Sequence, residues 1–599
     1  MRRFLLFLLS LTVACGLLPR ARLTPTVPPT AALTATRLPP TSAPSATLSP
    51  TYTPTHTPTH PPTASPPPAA GADQLTPADV IFHPDPQLYS GDIVSLEVLA
   101  PATGPAWDGA QAKIYLDQAS GAPLAQNNFA RYGLASRLQA TFTWVWDTHG
   151  REGRQTIIVE AQPNAVNGVA AARQTLTLSV DLLPAVERPE PEPEAEWATA
   201  ESDCCVFHYL THTAAARDLD TIRAQADAAF VHIEQVLGVQ RQQKVVFTLA
   251  SKLIGHGGFA SGEVTLSYLD RNPAASDLFT LFSHEGTHIL DRQISNTRPT
   301  IMTEGLAVFV AGGHFKAEPL QQRAAGLLAL NRYLPLRALA DGVYTAQHEI
   351  GYLEGGGFIQ YLVERFGWDR FRAMYAAFQN APSDSQMLDA GLQAQYGEGL
   401  DALEAEWLDS LAELPPDPAQ TDDLRLTVEL YDSIRRYQHD LDPSDYFLTA
   451  WLPGGQTARE RGITADFIRR PAAPENLALE TLLVAAADAL RAQNYHDASA
   501  LLAGVNAALD AHSLAASPLA ADQLGVVNQV LEAGYEPQRI TLSGVEARVS
   551  AIRQWPRLEP LLLQRGAGGW QILASGADRG LFDGIIGAWA ARLWPSQLD

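Results

Sequence analysis

The sequence predicts a multidomain chain: an all-β sandwich, then an α+β domain, then a mixed helical and α+β domain. Three observations predict it. Residues 77–184 carry short runs of alternating apolar and polar residues, the period-2 pattern of half-buried strands. Over 202–415, strand-like runs alternate with long apolar patterns of helical spacing. Beyond 416, a helical pattern from Leu477 to Leu509 gives way to strand-like runs. The length of 599 residues agrees, since a chain of this size divides into roughly two to four domains.

At the N-terminus, Arg2-Arg3 precede a short apolar run from Phe4 to Ala14. It is too short to cross a bilayer and reads as a signal peptide over 1–14. It leads into Thr12-Val13-Ala14-Cys15-Gly16. These residues resemble a bacterial lipobox, with Thr12 where such a motif usually has Leu. The resemblance implies that Cys15 carries a lipid and anchors an exported protein to a membrane. An ordinary secretory signal is the other reading, and both export the chain. Residues 15–76 are rich in Thr and Pro. Such a tract buries no core and acts as a stiff tether, rising about 3.1 Å per residue where it is polyproline-like.

The net charge of −23 disfavours nucleic acid and anionic membrane surfaces as partners. Besides Cys15 the chain has only Cys204 and Cys205. Adjacent cysteines bridge only in a strained ring, so the expectation is two small buried residues on a strand and no disulfide.

The sandwich strands include Ile93–Val98, Phe142–Trp146, Thr156–Glu160 and Leu176–Val180. Trp144-Val145-Trp146-Asp147-Thr148, followed by a Gly-containing turn and a strand, looks like bacterial immunoglobulin-like surface modules, without the paired cysteines of antibody domains. An acidic, Pro-rich stretch, 185–201, reads as a linker. The next domain, 202–415, opens with strand Val206–Leu210. A helix over 213–237 and strands Val245–Leu249 and Val264–Tyr268 follow. Gly257–Gly262 before the last strand reads either as a plain hairpin turn or as a sheet edge able to bind an extended chain. His256 beside it is an incidental residue on this reading.

The chemistry concentrates in Ser283-His284-Glu285-Gly286-Thr287-His288, an H-E-x-x-H motif, with fifteen residues between His288 and Glu304 of Thr303-Glu304-Gly305-Leu306-Ala307. Residues four apart on a helix share a face, so His284 and His288 can aim two imidazole nitrogens at one point. Glu304, on a second helix, can add an oxygen. Two His and one Glu leave one position of a tetrahedral Zn²⁺ open, the pattern of a catalytic site. Asn272-Pro273 and Ser276-Asp277 signal the helix start. Leu278, Leu281, Phe282 and Ile289 give it a buried stripe. Two satisfied core histidines would be the bland alternative, but a buried His-His-Glu set without a ligand is costly.

These residues resemble the gluzincin metallopeptidases, the thermolysin and aminopeptidase clan, over about 202–380. The resemblance extends to Gly351-Tyr352 and to Phe358–Gly367. It implies zinc ligands His284, His288 and Glu304, with Glu285 as general base. It also implies an oxyanion donor from a later helix, for which Tyr352 is the candidate and Tyr344 and His348 compete. Val308 stands where thermolysin-like enzymes place a carboxylate that orients a ligand histidine.

In the last segment, 416–599, Leu477–Leu509 reads as a helical hairpin, and Ile540–Val549, Leu558–Gln564 and Trp570–Leu573 as strands. No motif there carries a chemistry. The whole reads as a tethered, exported zinc metallopeptidase acting on peptides or proteins. A surface binding protein using the same fold as a scaffold is the alternative.

Overall fold

The computed structural model describes residues 74–576, apart from 167, 169, 170 and 256. The signal segment, Cys15, nearly all of the Thr/Pro tract and His256 lie outside the described residues. So does the stretch 577–599.

Nine strands form the first part: β1 (Val80–His83), β2 (Leu88–Tyr89), β3 (Ile93–Leu99), β4 (Gln111–Leu116), β5 (Ala125–Asn128), β6 (Ala130–Tyr132), β7 (Arg137–Asp147), β8 (Gly153–Gln162) and β9 (Gln174–Leu183). They make two sheets, in the orders β1-β3-β7-β6 and β2-β9-β8-β4-β5. Between them lie Val94, Leu96, Val98, Ile114, Phe142, Trp146, Ile157 and Val159.

Strict alternation would send Phe142, Trp144 and Trp146 to one face. The structure departs from this at Trp144. The β3–β7 register shifts between Val94 and Leu96, and Trp144 has a φ of +52°. Such a bulge re-aims a side chain. The Trp144 ring leaves the sandwich core and packs with Leu210, Ala250, Ile254 and Phe467 of the following part. Its indole N–H donates to Asp466 at 2.8 Å.

The second part has strands β10 (Trp197–Glu201), β11 (Cys205–Leu210), β12 (Val245–Ala250), β13 (Gly258–Ser261) and β14 (Glu263–Ser267) in one sheet, ordered β10-β11-β12-β14-β13. β11, β12 and β14 run parallel, and β10 and β13 are antiparallel edges. The expected helix over 213–237 is a short α1 (Ala214–Arg217) and a long α2 (Leu219–Leu237). Further helices are α3 (Leu278–Leu290), α4 (Thr300–Ala311), α5 (Leu320–Ala329), α6 (Leu336–Gly342), α7 (His348–Phe366), α8 (Trp368–Ala376), α9 (Asp384–Tyr396) and α10 (Leu400–Ala412). The rings of Phe207, Phe230, Phe247 and Phe282 join sheet, α2 and α3 in one core.

Three expectations need correction here. Cys204 and Cys205 are disulfide-bonded. Asp227 accepts the Cys204 N–H at 2.8 Å and the Ser202 hydroxyl at 2.7 Å at the entry to β11. The stretch 185–201 is docked. Glu192 is 6% exposed and pairs with Arg469, while 197–201 form the edge strand β10. Arg469, the partner of Glu192, lies far along the chain, beyond the reach of local composition. The boundary at 416 falls just before a shared helix, α11 (Pro418–Leu441). Leu424 and Val428 of that helix pack with Tyr352 and Leu353. Its Leu426, Leu430 and Ile434 belong to the C-terminal core.

After α11 the chain returns to the sandwich. α12 (Gly455–Arg461) precedes Arg469, and the ring of His83 stacks on Trp451 at 4.3 Å. Helices α13 (Pro474–Arg491), α14 (Tyr495–Asp510) and α15 (Pro518–Glu532) then pack on a meander of β15 (Glu536–Ser543), β16 (Glu546–Gln554), β17 (Arg557–Gly566) and β18 (Gly569–Ser575). The expected single strand Ile540–Val549 is therefore a hairpin that turns at Gly544, φ +62°. Val545 kept the apolar pattern running through the turn although it is 53% exposed. The chain is multidomain, rich in β-sheet toward its N-terminus and mainly helical after it.

Arg469 is 3% exposed and reaches Asp92 at 2.6 Å and Glu192 at 2.5 Å. Removing one partner of such a group strands the buried charges at a cost of about 3–5 kcal/mol. Arg469→Ala should lower stability by that order in chemical denaturation. An unchanged midpoint would show that the sandwich docks without it.

Candidate metal centre

α3 starts where Asp277 accepts the Thr280 N–H at 3.0 Å and its hydroxyl at 2.6 Å, an N-cap. From that start, His284 and His288 fall on one face. Gly286 between them faces α2, where a Cβ would sit 2.6 Å from Ile233 Cδ1 and 2.9 Å from Phe230 Cζ. α4 opens after Pro299 and carries Glu304 across to α3.

The three side chains converge. His284 Nε2 and His288 Nε2 lie 3.2 Å apart, and each is 3.4 Å from Glu304 Oε2. Among the described residues this is the His/Cys/Asp/Glu group able to hold a metal ion. A tetrahedral ion with ligands at about 2.0–2.1 Å sets those ligands roughly 3.3–3.4 Å apart. The triangle has that size, and a point about 2.05 Å from all three atoms exists just outside its plane. The nearby carboxylates Asp291 and Glu354 do not join this group. Asp291 accepts from Tyr375 at 2.6 Å, and Glu354 accepts the Leu334 N–H at 2.8 Å.

Glu304 is held by Tyr344, whose hydroxyl donates to Oε1 at 2.6 Å, leaving Oε2 for the histidines. Val308 is fully buried against Gly356, where a Cβ would sit 2.6 Å from its Cγ1, so that position serves packing. His288 Nδ1 has no hydrogen-bond partner among the described residues; Asp291, whose Oδ1 is paired with Arg298 at 3.2 Å, adds negative charge near His288.

The electrostatics suit a cation. Burial drives His284 down to about 4, with the charge of His288 adding to it. Burial would lower His288 as well, but Glu304 outweighs it and lifts the pKa to about 9. Glu304 is held well below the usual carboxylate range, because the His288 charge and the hydrogen bonds from both histidines overcome burial. Glu285 follows His284 and lines the same cleft as the triad. Its Oε1 would lie 2.8 Å from a Cβ at Gly258, so the missing side chain there makes its room. Burial pushes Glu285 up to about 7, a value suited to proton transfer near neutral pH.

Tyr352 is 5% exposed, with its ring centroid 5.9 Å from that of His284. Burial raises its pKa well above the ordinary value, and Glu304 adds to the effect. It stacks on His314 at 4.5 Å, and His348 lies 4.6 Å from it, ring to ring. Sequence reasoning missed His314. Its Nδ1 lies 2.8 Å from Glu349 Oε2, and its ring is 5.9 Å from His284. A single His after a helix C-terminus carries no spacing signal, so only the fold identifies it.

These groups line a cleft of about 350 Å³, together with Gly258, Phe259, Arg292, Arg298 and Tyr431. Among the described residues, a depression of about 720 Å³ on the sandwich has Arg173 as its one ionisable lining residue and offers no comparable chemistry. No family model matches the chain, and no curated protein matches it. Native alpha-2-macroglobulin from Escherichia coli gives two weak structural likenesses. One, spanning domain MG7 to the C-terminus, has TM-score 0.11 and 11% identity and covers 66% of each chain. The other, in the native conformation, has TM-score 0.12 and 12% identity and covers 65% of this chain and 26% of that one. Scores this low carry no argument about fold or function.

Tyr344→Phe should weaken zinc binding about 10–100-fold, as loss of a partner that orients a ligand does. Competition against a fluorescent chelator measures it, and an unchanged affinity would remove Tyr344 from the site. In the same assay affinity should rise with pH up to about 9, because zinc must displace the proton that His288 holds there.

Proposed function

We propose that the protein is an exported, membrane-tethered zinc metallopeptidase of gluzincin type. The observation that carries this is the triangle of His284 Nε2, His288 Nε2 and Glu304 Oε2, sized for a tetrahedral ion, with the buried Glu285 beside it in an open cleft. Zinc, when bound there, supplies Lewis-acid polarisation of a peptide carbonyl and of a water molecule. Glu285 takes the proton of the attacking water and delivers it to the leaving amine. Tyr352 is the donor to the developing oxyanion, with His314, stacked on it and paired with Glu349, as the nearest alternative. Tyr344 holds the zinc ligand Glu304. The edge strand β13 lies along the cleft and fits an extended peptide backbone. The two-sheet sandwich is read as an immunoglobulin-like module. Lipidated Cys15 and the Thr/Pro tract would hold the whole at a membrane.

Glu285→Gln should keep zinc and lose at least about 100-fold in hydrolysis of a mixed peptide library, since only proton transfer disappears. His284→Ala, His288→Ala and Glu304→Ala should each lose tightly bound zinc and activity together. Metal analysis and peptide hydrolysis on the same preparations decide it. Full activity in Glu285→Gln would end the proposed mechanism.

For the anchor, Cys15→Ser should move the protein out of the membrane fraction. Retention equal to wild type would mean that another part of the chain holds it there.

A further inference from the structure

We infer that the β6–β7 turn of the sandwich is a wall of the cleft, and that its Leu134 contacts an apolar side chain of an extended peptide ligand. The class of ligand rests on the peptidase reading; the wall does not. Leu134 lines the same cleft as Gly258, Glu285 and the triad. It is 41% exposed, so the protein itself leaves much of this side chain uncovered.

The turn is held in place. Ala135 N–H donates to the Leu448 carbonyl at 3.0 Å, and Leu452 N–H donates to the Tyr132 hydroxyl at 3.4 Å. Gly133 has a φ of +67°, and a Cβ there would sit 2.8 Å from the Leu448 oxygen. Glycine is therefore needed on two counts: the left-handed backbone and the close approach. A side chain mounted on a fixed turn is pre-organised, which lowers the entropy lost when a ligand packs on it.

The occupant follows from the edge strand β13, whose Gly258 and Phe259 line the same cleft. β13 pairs with β14 and with no other strand among the described residues, so one edge remains for strand addition. A peptide added there would present alternate side chains to one side. The cleft meets it with apolar groups, among them Leu134, Phe259 and Leu281. On this reading the sandwich selects substrate as well as carrying the second domain.

The test uses the full chain with zinc, and peptides in which one position flanking the scissile bond is Leu, Ala, Lys or Asp. Leu134→Asp and Leu134→Ala are compared with wild type by kcat/KM, and by equilibrium binding in a Glu285→Gln background. Zinc content and the thermal midpoint confirm that each variant is folded. The expected result is about a tenfold loss for Leu peptides at one position, carried by KM and by binding, from loss of one buried apolar contact. Leu134→Asp should also gain for Lys at that same position. An unchanged preference in both variants overturns the inference, and the peptidase reading stands if hydrolysis persists. Leu134-dependent binding without hydrolysis in wild type supports the inference and sinks the proposed chemistry. Failure of wild type to bind or cleave any of the peptides overturns both.

Discussion

The site depends on the crossing of α4 and α7. A Cβ on Gly305 would lie 2.5 Å from the Gly355 carbonyl carbon, and one on Gly355 would lie 3.0 Å from the Ile301 oxygen. The two backbones therefore touch, which only glycine permits. Glu304 precedes one of these glycines, and Tyr352 lies one turn before the other. Spread the helices by a side chain, and the carboxylate retreats from the histidines while the tyrosine leaves the cleft wall. The same contact explains Val308. With the helices this close, its position meets Gly356 and has no space for a carboxylate.

A second constraint is charge. His284, Glu285, His288 and Glu304 share one partly closed pocket, and water contributes little screening there. The fold answers by shifting them apart: His288 upward, His284 downward and the Glu285 carboxyl upward to about 7. A carboxylate oxygen and two imidazole nitrogens crowd around one point. A divalent ion would satisfy all three at once, which a proton cannot.

Much of this was legible in the sequence because the signals are local. The His284–His288 spacing needs only one helical turn, and the Asp277 cap and the apolar stripe mark where that turn falls. Strands β12 and β14 follow from short β-branched runs. What escaped depends on residues far apart in the chain. Tyr344 was named as a competitor to Tyr352, but its bond to Glu304 becomes visible only when α6 and the turn after it pack beside α4. His314, the burial of Glu192 by Arg469 and the outward turn of Trp144 have the same cause. The Cys204–Cys205 bond escaped for another reason: adjacent cysteines bridge only in a strained ring, so local sequence argues against the pairing that forms.

The shared helix α11 has a consequence for the order of assembly. Tyr431 lines the cleft and is also packed in the C-terminal core with Leu477 and Leu482, while Leu134 reaches the cleft from the other end of the chain. Domains made from the N-terminus generally fold as they emerge, but this cleft has no complete wall until a segment well past the metal ligands has arrived. A chain cut short after 415 would carry every residue of the motif and lack part of the pocket. The enclosure of the cleft is thus tied to synthesis of α11, so a shorter copy would hold the His-His-Glu group in a more open pocket.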